Sequence, residues 1–264
     1  MSAKFDTVIK PIIDYSLMAV CFVMIIITGI MEKSHPICVW PLVNSLIIMI
    51  LSMRAYRITH LLGSINCLIY TVGYLIIGVY GTLISTLFVS FPVQLATFFM
   101  WGKNKYKKST VFKKLPLKWE ILLGLGIVVA CVVGSVILVL TNHSLEKSIV
   151  DVLGSVNDAQ KFAINVIIVI DSIGMVLGII IPFMSMFALI ETIVFNIINT
   201  SLALVMWILM AILNPMQAPY LVSAVFNLYC IIWAAVNWVR LYKEQQKEKK
   251  QASQGEILQT VEAV

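Results

Sequence analysis

Charge is what this 264-residue chain has least of: only 12% of its residues are charged and 60% are hydrophobic. A soluble domain keeps about a quarter of its residues charged, so the shortage excludes an ordinary water-soluble globule and leaves the bilayer as solvent. The five cysteines, Cys21, Cys38, Cys67, Cys131 and Cys230, show no paired spacing of a zinc site or a disulfide framework. They lie in or at the ends of apolar runs and read as small core residues. The three histidines, His35, His60 and His143, stand far apart near run ends. No His-Glu-x-x-His and no Gly-x-Ser-x-Gly occurs, so no sequence pattern points to a nucleophile with its base or to a metal cluster. The chain reads as no enzyme, with no cofactor and no metal.

What is abundant is long apolar runs. A helix needs about 20 apolar residues to cross the hydrocarbon, and the runs here accommodate about eight such helices. The expected spans are Pro11 to Met31, Cys38 to Met53, Thr59 to Tyr80, Gly81 to Trp101, Trp119 to Thr141, Phe162 to Pro182, Met186 to Leu213 and Pro219 to Val239. Lys4 and Lys10 before the first run imitate a secretory signal, but Met31-Glu32-Lys33 offers no small-residue cleavage pattern, so an uncleaved span is expected. The fold class is an all-α integral membrane protein.

The formal charge of +6 does not point to nucleic acid, because the cations gather at the ends of apolar runs and not along an aromatic-studded face. Arg54 and Arg57 follow span two, and Lys103, Lys105, Lys107, Lys108, Lys113, Lys114 and Lys118 fill the loop after span four with no acid among them. Arg240, Lys243, Lys247, Lys249 and Lys250 follow span eight, whereas the loop from Asn142 to Lys161 mixes Glu146, Asp151 and Asp158 with Lys147 and Lys161. Cytoplasmic loops collect Lys and Arg. With eight spans every assignment agrees, both termini being cytoplasmic. One transmembrane domain is expected over residues 1–243, followed by a cytoplasmic tail, 244–264, rich in Gln, Glu and Lys and expected to be solvated and loosely ordered.

Punctuation suggests an internal repeat. One triplet of spans, residues 38–101, closes in Trp101-Gly-Lys103, and another, 162–240, closes in Trp238-Val-Arg240; the helix at 119–141 links them. A single linker helix lets two three-helix units keep the same orientation, giving a parallel 3+1+3 repeat about an axis along the membrane normal. An extra first helix precedes it.

The polar residues inside these runs carry the functional reading. Glu191-Thr-Ile-Val-Phe-Asn196-Ile-Ile-Asn199-Thr200-Ser201 sets amides and hydroxyls in a run otherwise suited to lipid, where they must face one another, neighbouring helices or a guest. Gly63, Asn66, Tyr70, Gly73 and Tyr74 share one face of span three, and Ser90, Gln94, Thr97 and Trp101 one face of span four, where Pro92 loosens the helix. Asp171, Gly174, Gly178 and Pro182 align in span six, and Ser223, Asn227, Ala234 and Asn237 in span eight. Asp171 needs a donor partner, water or a proton; Trp238 reads as an interface anchor. Any one stripe could pack helices together. Stripes of uncharged amides, hydroxyls and rings in both triplets favour a cavity for a polar, ring-bearing solute.

These residues resemble the PnuC family of bacterial vitamin transporters, best known for nicotinamide riboside. The resemblance runs over roughly residues 40–243, through Gly63-x-x-Asn66-x-x-x-Tyr70, Pro92-x-Gln94 leading to Trp101, Asp171, the asparagine-bearing seventh span, and Trp233-x4-Trp238-x-Arg240. It implies a SWEET-like fold, a homotrimer with a path through each protomer, and facilitated diffusion across the bacterial inner membrane, the solute being trapped by an intracellular kinase. The family's seventh span typically reads Trp-x-x-Trp-x-x-x-Asn; Thr192 and Phe195 stand where the tryptophans would be, and Asn199 keeps the asparagine. Nicotinamide riboside is therefore the leading solute, with thiamine, riboflavin or deoxynucleosides as alternatives. A non-transporting membrane interaction protein is the alternative from another class. In the expected site Asn66, Gln94, Asn199 and Asn227 hydrogen-bond the solute, Asn196 shares their face, and Tyr70, Tyr74 and Phe195 flank its ring. The expected partners are thus a small vitamin or nucleoside and the lipid bilayer, with no nucleic acid.

Overall fold

The structure, a computed structural model, describes residues 10–77, 79–103, 105–106, 109–141 and 157–262. The helices are α1 (Lys10–Met31), α2 (Pro36–Met53), α3 (Ile58–Ile77), α4 (Tyr80–Ser85), α5 (Phe91–Lys103), α6 (Leu117–Thr141), α7 (Asp158–Met186), α8 (Thr192–Leu213) and α9 (Ala218–Glu262). A π-helical segment, Thr86–Ser90, joins α4 to α5 in one span, so eight helices among the described residues are long and apolar enough to cross a membrane. A short antiparallel hairpin, Lys105–Tyr106 with Ser109–Thr110, follows α5.

Local chemistry starts these helices where they start. His35 caps α2, its Nδ1 accepting from Ile37 N at 3.3 Å with Pro36 in the first turn. Asn157 and Gln160 form a reciprocal capping box at the head of α7. The π segment ends two residues before Pro92, whose ring and missing N–H cannot be fitted into an uninterrupted α-helix. Pro182, inside α7, leaves the Gly178 carbonyl without its usual N–H donor, and Ser90 Oγ donates to that oxygen at 3.3 Å.

The packing is inside-out relative to a soluble protein. Ser45, Thr97, Asp171, Ser172, Thr200 and Ser223 are buried, while large apolar side chains of α1 and α6 face outward. Helix α8 lies between α7 and α9, α2 packs on α3 and α9, and α4 and α5 pack on α7. Among the described residues helix α1 leans chiefly on α2 and α9, and α6 chiefly on α7, which leaves both at the perimeter. The turns after α2 and α7 share one conformation. Arg54 (φ −91, ψ 2) is followed by Ala55 at φ 55, and Phe187 (φ −83, ψ 2) by Ala188 at φ 56.

Two boundaries differ from the sequence expectation. Met186 ends α7 and does not open the seventh span, which starts at Thr192 after a turn through Ala188; an unbroken apolar run had concealed that turn. The tail is also no loose chain, since α9 continues without a break to Glu262. Gln245, 8% exposed, holds the α5–α6 connection from both sides: its Oε1 accepts from Phe112 N and its Nε2 donates to Thr110 O, both at 2.9 Å. Tyr106 Oη donates to Glu248 at 2.7 Å. Hydropathy sees only that these side chains are polar. Glu146, Lys147 and Asp151 of the acidic loop, and Lys107 and Lys108 of the basic one, lie outside the described residues.

Gln245→Ala removes both bonds. The Phe112 amide is then expected to exchange its hydrogen roughly tenfold faster, from about 1–1.5 kcal/mol of lost local protection, with global unfolding little changed. Residue-resolved hydrogen exchange checks this.

Candidate functional site

Arg54, Arg57, Lys103, Lys113, Lys114, Lys118 and Arg240 collect at one end of the bundle, here called the basic face. Two cavities lie in file along the helices. The basal one, nearer this face, has a volume of ≈ 280 Å³ and is walled by Gln94, Thr97, Asn196 and Ser185. The distal one has ≈ 270 Å³ and is walled by Tyr70, Tyr74, Asp171, Trp207, Tyr220 and Ser223. Met49, Asn199, Thr200 and Asn227 border both. Neither cavity is lined by a lysine or arginine among the described residues.

Helical spacing places the amides. Asn196, Asn199 and Thr200 follow one another around a single face of α8, and Asn227 meets them from α9. Asn196, Asn199 and Asn227 make no hydrogen bond to another described residue, so their donors and acceptors are left to whatever fills the cavities. Gln94 Nε2 reaches Cys67 Sγ at 3.4 Å, a weak acceptor, and its Oε1 lies over Gly63 where a β-carbon would overlap it. Gly63 is therefore the notch that seats the glutamine. Gly63→Ala is expected to swing Gln94 aside at little cost in thermal stability, because the obstructing atom is the end of a flexible side chain, and to weaken solute binding about three- to tenfold by loss of one neutral hydrogen bond. Thermal unfolding and binding measured together check the split.

The rings stand in the distal cavity. Tyr70 and Tyr74 stack at 5.3 Å and 11°, and Trp207 and Tyr220 at 4.4 Å and 22°. Trp207 was absent from the sequence reading because it sits in an all-apolar stretch. The available signal was its place seven residues along from Thr200 and four from Ala203, on the cavity-facing side of α8.

Asp171, 3% exposed, has donor partners. One carboxylate oxygen accepts from Gly81 N at 3.0 Å, and the other from Thr82 N at 3.1 Å and from the Thr82 hydroxyl. It thus caps the first turn of α4, where unpaired N–H groups and the helix dipole both favour a negative charge. The sequence left partner, water and proton open; the geometry gives the partner.

At the basal end Trp101, Phe112 and Trp238 close on one another, with ring centroids 5.9 Å apart for the tryptophans and 6.2 and 5.1 Å from each to Phe112. His60 meets the Trp101 ring edge-on at 4.5 Å. Trp101 donates to Ser185 O at 2.9 Å and Trp238 to Ser52 O at 3.2 Å. Trp238 is accordingly no interface anchor: it is buried, and its indole N–H is spent on the α2 terminus.

Two expected site residues lie elsewhere. Asn66 borders neither cavity; it is buried between α2 and α3, where its Nδ2 donates to Pro41 O at 2.9 Å. Phe195 packs against Ile127, Val176 and Leu177 of α6 and α7 and borders neither of the two cavities. Both share a broad face with true lining residues, and a small rotation about the helix axis decides which neighbour each meets.

Eight helices long and apolar enough to cross a membrane surround two cavities with polar walls among the described residues, and the comparisons with known proteins make this the architecture of a transporter family. The family described as Nicotinamide mononucleotide transporter matches residues 35–242, and the chain belongs to it, the PnuC family. No match is found among curated proteins. Among solved structures the fold is similar to one described as the crystal structure of the Vitamin B3 transporter PnuC, with a TM-score of 0.63, 18% identity, and coverage of 88% of this chain and 92% of that one.

Proposed function

We propose that the chain is a uniporter for facilitated uptake of a ring-bearing vitamin or nucleoside-like solute, nicotinamide riboside first among them. The carrying observation is the set of amides, Asn196, Asn199 and Asn227, that bond nothing else described and border the two cavities. A mononucleotide would bring a phosphate into walls that, among the described residues, offer no lysine or arginine and in the distal cavity include the Asp171 carboxylate, so the unphosphorylated nucleoside is the better fit. The stacked rings of Trp207, Tyr220, Tyr70 and Tyr74 suit a flat cationic ring such as a pyridinium, replacing the face lost at Thr192 and Phe195. Thiamine carries the same kind of charge and is the second choice; riboflavin and deoxynucleosides share only the ring.

The excess of cations on the basic face supports a cytoplasmic position for that face and both termini, in a bacterial cell. The helices after α1 are read as the SWEET-like 3+1+3 arrangement, supported by the matching Ala55 and Ala188 turns and by the meeting of Trp101 with Trp238. Rocking of one triplet against the other would open each cavity in turn, and a homotrimer would carry one such path per protomer. Movement down a gradient needs no titrating group, so accumulation is assigned to phosphorylation of the solute inside the cell.

The test is thermal stabilisation of the purified protein by a panel of nicotinamide riboside, its mononucleotide, thiamine, riboflavin and deoxynucleosides. Stabilisation by the riboside at lower concentration than by the mononucleotide is expected. Response to none of them would favour a non-transporting interaction protein, and uptake lost on collapsing the proton gradient, in vesicles without kinase or ATP, would replace uniport with coupling.

A further inference from the structure

We propose that the basic face carries a docking site for the phosphate headgroup of an anionic phospholipid, in the cavity enclosed by α1, the end of α2 and α9. This cavity, ≈ 650 Å³, is separate from the two described above. Its charged lining is Lys10, Arg54 and Arg240 against the single carboxylate of Asp14. Three cations from sequence positions far apart converge there, two of them arginines, whose planar forks match phosphate oxygens.

The carboxylate offsets one of these cations, Lys10, and does not pair with Arg54. Asp14 is 1% exposed, and its oxygens are taken by Lys10 Nζ at 3.5 Å and Tyr229 Oη at 2.8 Å. Lys10 also sits over the Trp233 ring, 4.7 Å from its centroid. Arg54 lies 5.6 Å from the Tyr15 ring centroid and forms no ion pair with a carboxylate among the described residues. Arg240 is held by Asn237 Oδ1 at 3.0 Å, and Asn237 in turn donates to Met53 O at 3.0 Å, so the guanidinium is positioned and not merely present. Among the described residues that line the cavity, the cations outnumber the carboxylate three to one.

An amphiphile fits this surrounding better than a free phosphate. The cavity lies at the level where α1 begins and α2 ends, with Tyr15, Tyr56 and Trp233 in its wall, the residue types that settle at the membrane–water boundary. Beside it, exposed Ile12, Ile13, Val236 and Val239 continue along α1 and α9 as an apolar border on which acyl chains can lie. Basic pockets between transmembrane helices at the cytoplasmic surface are the kind that hold anionic headgroups. One wall, α1, lies outside the residues 35–242 that match the family, which gives this added helix a role.

The inference rests on the chain lying in a membrane and not on which solute it carries, so its failure would leave the proposed uniport standing. The experiment is lipid retention by the purified full chain, read by native mass spectrometry and thermal unfolding, with dioleoylphosphatidylglycerol, dioleoylphosphatidylcholine or inorganic phosphate added. Phosphatidylglycerol is expected to bind roughly tenfold or more tightly than phosphatidylcholine. Arg54→Gln with Arg240→Gln should abolish that preference, Arg54→Lys with Arg240→Lys should keep most of it, and Lys113→Gln with Lys114→Gln, elsewhere on the same face, should leave it whole. Equal retention of the two lipids by the wild-type chain overturns the proposal, whether or not the glutamine variant folds. So does an undiminished preference in a folded glutamine variant, or stabilisation by inorganic phosphate equal to that by phosphatidylglycerol, which would assign the site to a soluble phosphate.

Discussion

Asp171→Ala is expected to abolish transport and to lower the thermal unfolding midpoint more than any other single substitution in the cavity walls. The carboxylate accepts from two backbone N–H groups and one hydroxyl at the start of α4. Thr82 can turn its hydroxyl elsewhere, but the N–H groups of Gly81 and Thr82 cannot move. Leaving each unpaired away from water costs about 1–3 kcal/mol, so about 2–6 kcal/mol together, before the lost charge–dipole attraction is added. The damage reaches function because Thr82, Ser85 and Thr86 wall the distal cavity. Asp171→Asn retains one acceptor oxygen and should fall between wild type and alanine in both unfolding and uptake. A stable, active alanine variant would mean that the cap is unimportant and would also remove Asp171 from the candidates for proton coupling.

Asn199→Ala is expected to do the opposite, weakening solute binding while leaving stability nearly unchanged. Asn199 stands where the two cavities meet and bonds no other described residue, so the folded protein loses little with it. A bound solute would lose a partner for a polar group already stripped of water, which costs about 1–3 kcal/mol, or roughly 5- to 150-fold in Kd. Gln94→Ala should act in the same direction and more weakly, since Gln94 already spends one donor on Cys67. Asn66→Ala is the control. It removes a helix–helix hydrogen bond, so stability should fall by about 1 kcal/mol with binding intact. Titration and unfolding on the same three variants decide the assignment; unchanged binding in both Asn199→Ala and Gln94→Ala would place the solute elsewhere.

The contrast between Asn66 and Asn199 marks where the sequence stops being informative. Each is an asparagine in the middle helix of its triplet, each on a face with glycine or aromatic neighbours, and each costly in hydrocarbon unless partnered. One found the Pro41 carbonyl of an adjacent helix and the other borders the two cavities. The same ambiguity covers Phe195 and Trp207. The aromatic residue in the expected position packs on α6 and α7, and the one hidden in an apolar run walls the distal cavity.

What the sequence determined by itself was the class of molecule: eight spans, their polar faces and a basic end, with the resemblance that the family match bears out. Those follow from quantities summed along the chain, namely apolar length against bilayer thickness and the distribution of cations, and such sums survive errors of several residues. Only the tertiary structure decided which polar groups are spent on the protein and which are left for a guest. It joined Asp171 to α4, Gln245 to the α5–α6 connection and Trp238 to Trp101, pairs separated by about 90 to 137 residues. A hydrogen bond is satisfied within about 3 Å, and the rotation and height of each helix that bring two atoms that close are set by packing against its neighbours, not by its own sequence of polar and apolar residues.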